Sequence, residues 1–404
     1  MNYKVITGNN IDILKTYPDN HFDSIVTDPP YGIEFLGKDW DTNTGAIETW
    51  QECLRVLKPG GYILAFSAAR TYHHLATNIE SVGFEIRDQI MWIYGSGFPK
   101  AQDVGKAIQR RQGVAEYEEF VDTTKNAGFG MTDHARVRAG VEWSTKETQV
   151  GKVKCTSPEA QQWAGWKTAL KPAHEPIVMA RKPFKGSCVD NVLEHGVGAL
   201  NIDATRIGDE VVKTVVKRNE ENTRWYGHRA NNESLPRPVD EIENQGRFPS
   251  NVIGEISDDY QKYFYCPKVS RAERHTGFDA LSHIPTIGNN NGNPMAQLPG
   301  DKNSKLKKVI NQSKALGNNH PTVKPVDLMR YLITLVTPPG GHVLDPFNGS
   351  GSTGMAAVEL GYEYTGCELD PAYADIARKR IEAWYYKTDI SGHELPTEWF
   401  DEVN

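Results

Sequence analysis

The sequence is poor in the features that would place it outside the class of ordinary intracellular domains. Its five cysteines, Cys53, Cys155, Cys188, Cys266 and Cys367, are scattered and form no C-x-x-C pair. That spacing suggests neither a zinc site nor a disulfide framework, and a reducing cytoplasm is the expected compartment. No stretch approaches the ~20 consecutive apolar residues of a membrane span, so no membrane partner is expected. Met1–Ile6 runs directly into a strand-like pattern and has no signal-peptide character. No overall positive charge is present either, the formal net charge being −7.

That negative balance is unevenly spread. Residues 101–320 hold 31 Lys+Arg against 27 Asp+Glu, while the remainder holds 14 against 25. Any contact with a phosphate backbone is therefore expected in the middle of the chain. A length of 404 residues suits a main domain with a large insertion.

Residues 3–95 alternate strand and helix patterns. Tyr3–Thr7, Phe22–Thr27, Tyr62–Phe66 and Phe84–Tyr94 read as strands, and Ile11–Tyr17, a stretch from about Gly45, and Thr71–Val82 as helices. Lys58-Pro59-Gly60-Gly61 reads as a helix stop. Residues 325–386 repeat the rhythm with helix Val326–Thr337, strand His342–Leu344, helix Ser352–Leu360, strand Tyr362–Glu368 and helix Pro371–Trp384. Such alternation predicts a mostly parallel sheet covered on both faces. The middle loses that rhythm. Pro176–Ala180, Phe248–Ile253 and Tyr260–Tyr265 are its strand candidates, and about 284–319 reads as a long mobile loop.

Two corners stand out. In Ser24-Ile25-Val26-Thr27-Asp28-Pro29-Pro30-Tyr31 an apolar strand ends in an acid, two prolines and a ring. Neither proline has an N–H to donate, so the strand stops in a stiff loop rich in acceptors. Asp28 and the Pro29 carbonyl can take the two N–H bonds of an exocyclic amino group, and Tyr31 can stack on a flat base; a plain turn with Tyr31 covering the core fits the same four residues. The second corner is Asp345-Pro346-Phe347-Asn348-Gly349-Ser350-Gly351-Ser352-Thr353, a glycine turn between strand and helix, with Glu368 ending the next strand. This suits a ligand lying close to the backbone, an anion at the helix start, and an acid on ribose hydroxyls. No Gly-Lys-Ser/Thr follows, so it is not a P-loop. His174-Glu175 lacks further partners in the sequence for a metal, and none is expected.

Together these corners resemble the DNA amino-methyltransferases of the β group, which methylate N6 of adenine or N4 of cytosine with S-adenosylmethionine. His320-Pro321-Thr322-Val323-Lys324-Pro325 and Arg55–Gly61 are similar to further motifs of that family, and the segments Lys171–Pro176 and Gly246–Pro249 resemble its phage-associated branch. The resemblance covers about residues 3–100 and 318–386. It implies a permuted order and an α/β, Rossmann-like sheet assembled from both chain ends. The catalytic domain would comprise 1–100 and 318–404, with a target-recognition insertion at 101–317. It further implies catalysis by Asp28, Pro29, Pro30 and Tyr31 on a flipped-out base, with Phe35 and Trp40 lining its pocket. S-adenosylmethionine would lie against Asp345, Phe347, Asn348, Gly349, Ser350, Gly351 and Ser352. Thr322, Lys324 and Pro325 would flank its carboxylate, Asn9 would stand near its adenine, Glu368 would take its ribose, and Asp28 would border it. Asp370 is expected to cap the last helix instead. Arg206, Arg224, Arg229, Arg247, Arg271 and Arg274 are candidates for guanine or phosphate contacts.

The resemblance makes double-stranded DNA the expected partner and N6-adenine the expected target, with N4-cytosine as the alternative. It leaves a homodimer and a cognate restriction enzyme open. No Pro-Cys pair occurs, which argues against the C5-cytosine type. RNA or protein glutamine as substrate, or DNA binding without catalysis, fits the motifs less well.

Overall fold

The computed structural model describes residues 2–33, 41–94, 101–113, 116–118, 152–217, 239–254, 271–274, 276–277 and 323–388. From the N-terminus it runs β1 (Tyr3–Thr7), α1 (Asn10–Leu14), β2 (Phe22–Thr27), α2 (Ile47–Val56), β3 (Leu57–Phe66), α3 (Tyr72–Ser81) and β4 (Glu85–Ile93). The middle supplies α4 (Val104–Arg111), β5 (Glu116–Glu118), β6 (Lys152–Lys154), α5 (Pro158–Gln162), β7 (His174–Arg181), α6 (Cys188–His195), β8 (Ile207–Lys217), β9 (Val239–Arg247) and β10 (Val252–Gly254). The end of the chain adds α7 (Val326–Val336), β11 (His342–Asp345), α8 (Ser352–Glu359), β12 (Glu363–Glu368) and α9 (Pro371–Thr388).

Eight strands form one sheet in the order β1-β12-β11-β2-β3-β7-β4-β10. The first five are parallel to one another, β7 is antiparallel to both its neighbours, and β10 is parallel to β4 at the edge. The two ends of the chain are joined twice, by β1 beside β12 and by β2 beside β11, the latter with Val343 opposite Ser24 and Leu344 opposite Ile25.

Alternation along each central strand divides the core into two layers. Tyr62, Leu64 and Phe66 of β3, with Ile177 and Met179 of β7, pack on the side of α7, α8 and α9. Ile63 and Ala65, with Val178 and Ala180, pack against Ile13, Leu14, Trp50, Cys53, Leu75 and Ile79 of α1, α2 and α3. Both faces are covered, which is why these strands read as unbroken apolar runs.

Two findings differ from the sequence reading. Lys58–Gly61 does not separate helix from strand: β3 already begins at Leu57, and the pairing with β2 shifts register between Phe22 and Ser24. The left-handed Gly60, at φ 81°, takes up that irregularity. The strand expected at 176–180 lies within the stretch assigned to the insertion, yet it belongs to the large sheet between β3 and β4. Its uninterrupted Ile177-Val178-Met179-Ala180 is the mark of burial on both faces. The β8–β9 hairpin carries no clear alternation and was not foreseen. Tyr260–Tyr265 and the whole of the expected loop at 284–319 lie outside the described residues.

Gly354 tests the packing of α8 on α9 and β12. A methyl group there would sit 2.4 Å from Ile381 Cδ1 and 2.7 Å from Tyr364 Cε1, whose ring is tied by its hydroxyl to Asn348. Gly354→Ala should therefore destabilise by about 1–3 kcal/mol. In an open helix the same change would stabilise by up to ~1 kcal/mol. Urea denaturation decides, and a gain in stability would contradict this packing.

Candidate active site

The site grows from the β2–β11 junction. Thr27, the last residue of β2, donates its hydroxyl to Asp345 Oδ1 at 2.7 Å. Asp345, the last residue of β11, also accepts from Phe347 N at 3.1 Å and from the Thr353 hydroxyl at 2.6 Å. One buried carboxylate thus ties the end of β2, the glycine turn and the first turn of α8 together. Burial raises its pKa to about 6 against the pull of those three hydrogen bonds.

The turn itself bends through Gly349 and Gly351 at φ 52° and 82°, a left-handed conformation that favours glycine. Gly349 N donates to Glu368 Oε2 at 2.8 Å, so the acid ending β12 is bound to the turn. Burial, chiefly, lifts the Glu368 pKa to about 7. From beneath, the buried Arg380 donates to the Ser350 carbonyl and hydroxyl at 2.5 and 2.9 Å. Asn348 accepts from the Tyr364 hydroxyl at 2.6 Å, and Phe347 packs on Trp50 with ring centroids 5.7 Å apart. Ser352, the first residue of α8, is different: its hydroxyl oxygen is buried and has no hydrogen-bond partner.

The Asp28 corner is held from outside. Asp41 Oδ1 accepts from Tyr31 N at 2.6 Å and Gly32 N at 3.0 Å, and Oδ2 from Ile33 N at 3.3 Å. The Tyr31 hydroxyl lies 2.9 Å from both Asp28 Oδ1 and Glu175 Oε2. Lys324 Nζ stands 2.7 Å from Asp28 Oδ2, 3.0 Å from the Tyr31 hydroxyl and 3.3 Å from Glu175 Oε2. Burial opposes the lysine's charge, but Asp28 and Glu175 outweigh it and hold its pKa above the ordinary value. Burial and the same two acids push the Tyr31 phenol well up, so it stays neutral.

Both corners open into one cavity of about 1930 Å³. Of the residues expected to form the site, Asn9, Asp28, Pro29, Pro30, Tyr31, Lys324, Asp345, Phe347, Asn348, Gly349, Ser350, Ser352 and Glu368 line it. Gly351 and Pro325 do not line it: Gly351 faces Ala377 and Ile381 of α9, and Pro325 precedes α7. Thr322, Phe35 and Trp40 lie outside the described residues. Lys324 lines the cavity, with its ammonium paired to Asp28. Asn9 Oδ1 accepts from Ile11 N and caps α1. Asp370 caps α9 as expected, accepting from Ala372 N at 2.8 Å.

Sequence reading missed Asp41, Glu175 and Arg380 as parts of the site. Glu175 was visible only beside His174, and its real neighbours are 144 or more positions away. Arg206 and Arg247 are bound to the β8–β9 region through Asp203, Asn244 and Glu210, and burial lowers the pKa of Arg274. Arg224, Arg229 and the side chain of Arg271 lie outside the described residues. Among the described residues no cluster suited to a metal ion occurs and no helix is long and apolar enough to cross a membrane.

A family profile described as DNA methylase, for N6/N4 enzymes, matches residues 22–379. The chain is 21% identical to the Type II methyltransferase M.HindIII of Haemophilus influenzae, over 93% of this chain and 94% of that protein. A shorter match to M2.DpnII of Streptococcus pneumoniae is 47% identical over 16% of this chain and 24% of that protein. M.Cfr9I of Citrobacter freundii is 31% identical over 30% of this chain and 33% of its own length. Among solved structures, M1.HpyAVI in complex with SAM aligns at 15% identity and a TM-score of 0.39, covering 94% of this chain and 99% of that one. The cytosine-N4-specific PvuII methyltransferase aligns at 12% and 0.45, covering 96% and 93%.

The raised carboxyl groups fix the sign of a pH effect. Glu368 is easier to protonate in the folded chain, at about 7, than at its ordinary 4.5. Its contribution to stability is complete below the ordinary value and is lost as pH rises through about 7. The ligand-free protein should therefore lose stability between about pH 5 and about pH 8, and Glu368→Gln should flatten that slope. Urea midpoints at both pH values measure it; parallel slopes for the two proteins would show that Glu368 is not perturbed.

Proposed function

The chain belongs to the N6/N4 DNA methylase family, and on that premise we propose that the base it methylates is adenine, at N6. It is a DNA methyltransferase acting at specific sequences. The family resemblance, with an acid at the first position of the Asp28 corner, supports adenine; N4 of cytosine is the second reading. The observation that carries the proposal is that the Asp28 corner and the glycine turn, from opposite ends of the chain, line one cavity and are joined by the Thr27–Asp345 bond.

The residues of that cavity fit S-adenosylmethionine. Ser352 offers an unpaired hydroxyl at the positive end of α8, suited to a carboxylate. Phe347 and Gly349 supply a surface against which the molecule can lie, Glu368 is placed for ribose hydroxyls, and Asn9 lies on the wall suited to the adenine ring. When bound, S-adenosylmethionine supplies an electrophilic methyl group on sulfur. Asp345, Asn348 and Ser350 brace the turn through their own hydrogen bonds.

The chain's task is then to hold and polarise the target. The amino nitrogen of a base is a poor nucleophile because its lone pair is delocalised into the ring. Asp28 and the Pro29 carbonyl accept its two hydrogens and draw it toward tetrahedral geometry, while Tyr31 stacks on the base; the nitrogen would gain the methyl carbon as the carbon–sulfur bond breaks and would release one hydrogen as a proton by way of Asp28. Positioning and electrostatics provide the acceleration without a covalent intermediate. A base inside a duplex cannot reach this depth and is flipped out at a cost of a few kcal/mol, roughly.

The remainder of 101–317, apart from β7 and β10, is the proposed target-recognition region. It carries the chain's basic excess. The exposed Trp163 and Trp166 lie here, and Leu170, 92% exposed, stands at the cavity rim beside Lys171. The permuted β-group order fits the Asp28 corner preceding the glycine turn. The Type II names of the relatives support a cognate restriction enzyme, and a homodimer is proposed from the same family likeness. DNA as substrate supports a location in the cytoplasm.

Purified protein, labelled S-adenosylmethionine and mixed-sequence DNA should yield N6-methyladenine on nucleoside analysis; N4-methylcytosine alone would overturn the base assignment. Asp28→Ala should bind S-adenosylmethionine normally and lose at least about 10²-fold in kcat. Unchanged turnover would refute catalysis at this corner.

A further inference from the structure

Four polar groups from three segments of the chain meet at the Asp28 corner, and their charges do not cancel. Asp28 directly follows β2, Tyr31 lies three residues on in the same loop, Glu175 lies near the start of β7, and Lys324 precedes α7. The Lys324 side chain is 7% exposed, and those of Asp28 and Glu175 are 20% and 21% exposed. With the Tyr31 phenol neutral, the cluster holds two carboxylates and one ammonium, a net charge of minus one.

That arithmetic bears on the reaction. Asp28 already accepts from the Tyr31 hydroxyl through Oδ1 and from Lys324 through Oδ2. Were these its only neighbours, the acid meant to receive the target's amino hydrogen would be half of a neutral ion pair. Positive charge developing on the nitrogen as the methyl group arrives would then face no net charge. Glu175 gives both donors a second acceptor, at 2.9 Å from the Tyr31 hydroxyl and 3.3 Å from Lys324 Nζ.

We propose that Glu175 is a positioning residue for methyl transfer: it offsets the Lys324 ammonium, so that Asp28 meets the target amino group within a cluster of one net negative charge. This rests on the reading of Asp28 as the acceptor of the target's amino group. Lys324 is part of the same device. Its three contacts fix the carboxylate and the phenol in place, and without Glu175 it would neutralise the acid it orients. The burial of the cluster strengthens the effect, because a charge in a water-poor site is less screened than one in water.

Glu175→Gln tests this with little change of shape, since the amide oxygen can still accept from Tyr31. The single variant should lose about 10²-fold in kcat, with KM for DNA and Kd for S-adenosylmethionine within about threefold of wild type. Adding Lys324→Met removes the positive charge that Glu175 had balanced. The double variant should recover at least about tenfold in kcat over the single one. A residue that merely supports the fold would give the opposite order, the double variant being the worse. Glu175→Gln turning over like wild type, or a double variant no faster than the single, would overturn the proposal. A wild-type protein that methylates no DNA would instead refute the assignment of the site itself, and this proposal with it.

Discussion

The hydrogen bond between Thr27 and Asp345 is the point on which the architecture turns. It joins residues 318 positions apart, at the last turn of backbone before each of the two functional corners. Neither corner has meaning alone. The Asp28 loop offers acceptors but no place for a methyl donor, and the glycine turn offers a cradle but nothing to act on a base. The parallel pairing of β2 with β11 brings them side by side at the carboxyl ends of neighbouring strands, where open α/β sheets bind their ligands. Asp345 then carries the constraint outward, because its second oxygen fixes Thr353 and hence the start of α8.

Charge is distributed in this site with a division of labour. Asp345, buried, and Glu368, partly buried, are acids whose proton affinity is raised, and both accept hydrogen bonds from the turn. Arg380, fully buried, supports the same turn from the opposite side. At the other corner two acids share one lysine and one phenol. In the proposed reaction the first group shapes a surface for the methyl donor and the second presents a net negative charge to the base.

Much of this was legible because it is written locally. An apolar strand closing on Asp28-Pro29-Pro30-Tyr31, and a glycine turn between β11 and α8, are patterns of adjacent residues. The alternation of elements at both ends was likewise readable, and most boundaries fall within one or two residues. What escaped depends on contacts between distant segments. β7 is a short apolar run inside a polar region, and only its neighbours β3 and β4 make it a core strand. The motif around Lys324 says nothing about where Asp28 and Glu175 stand. Asp41 is one acid among many until its carboxylate is seen to gather three backbone N–H groups of the Asp28 loop. The β8–β9 hairpin carries no clear alternation and is defined by its register rather than by composition.

The proposed reaction requires that one cavity, walled by corners from opposite ends of the chain, take both a methyl donor and an acceptor base. A crystal structure of the protein with S-adenosylmethionine tests it most directly. The account predicts density over Phe347 and Gly349, the carboxylate at Ser352, the ribose at Glu368, and the methyl group directed at the space before Asp28. Density elsewhere, or a methyl group turned away from Asp28, would contradict it.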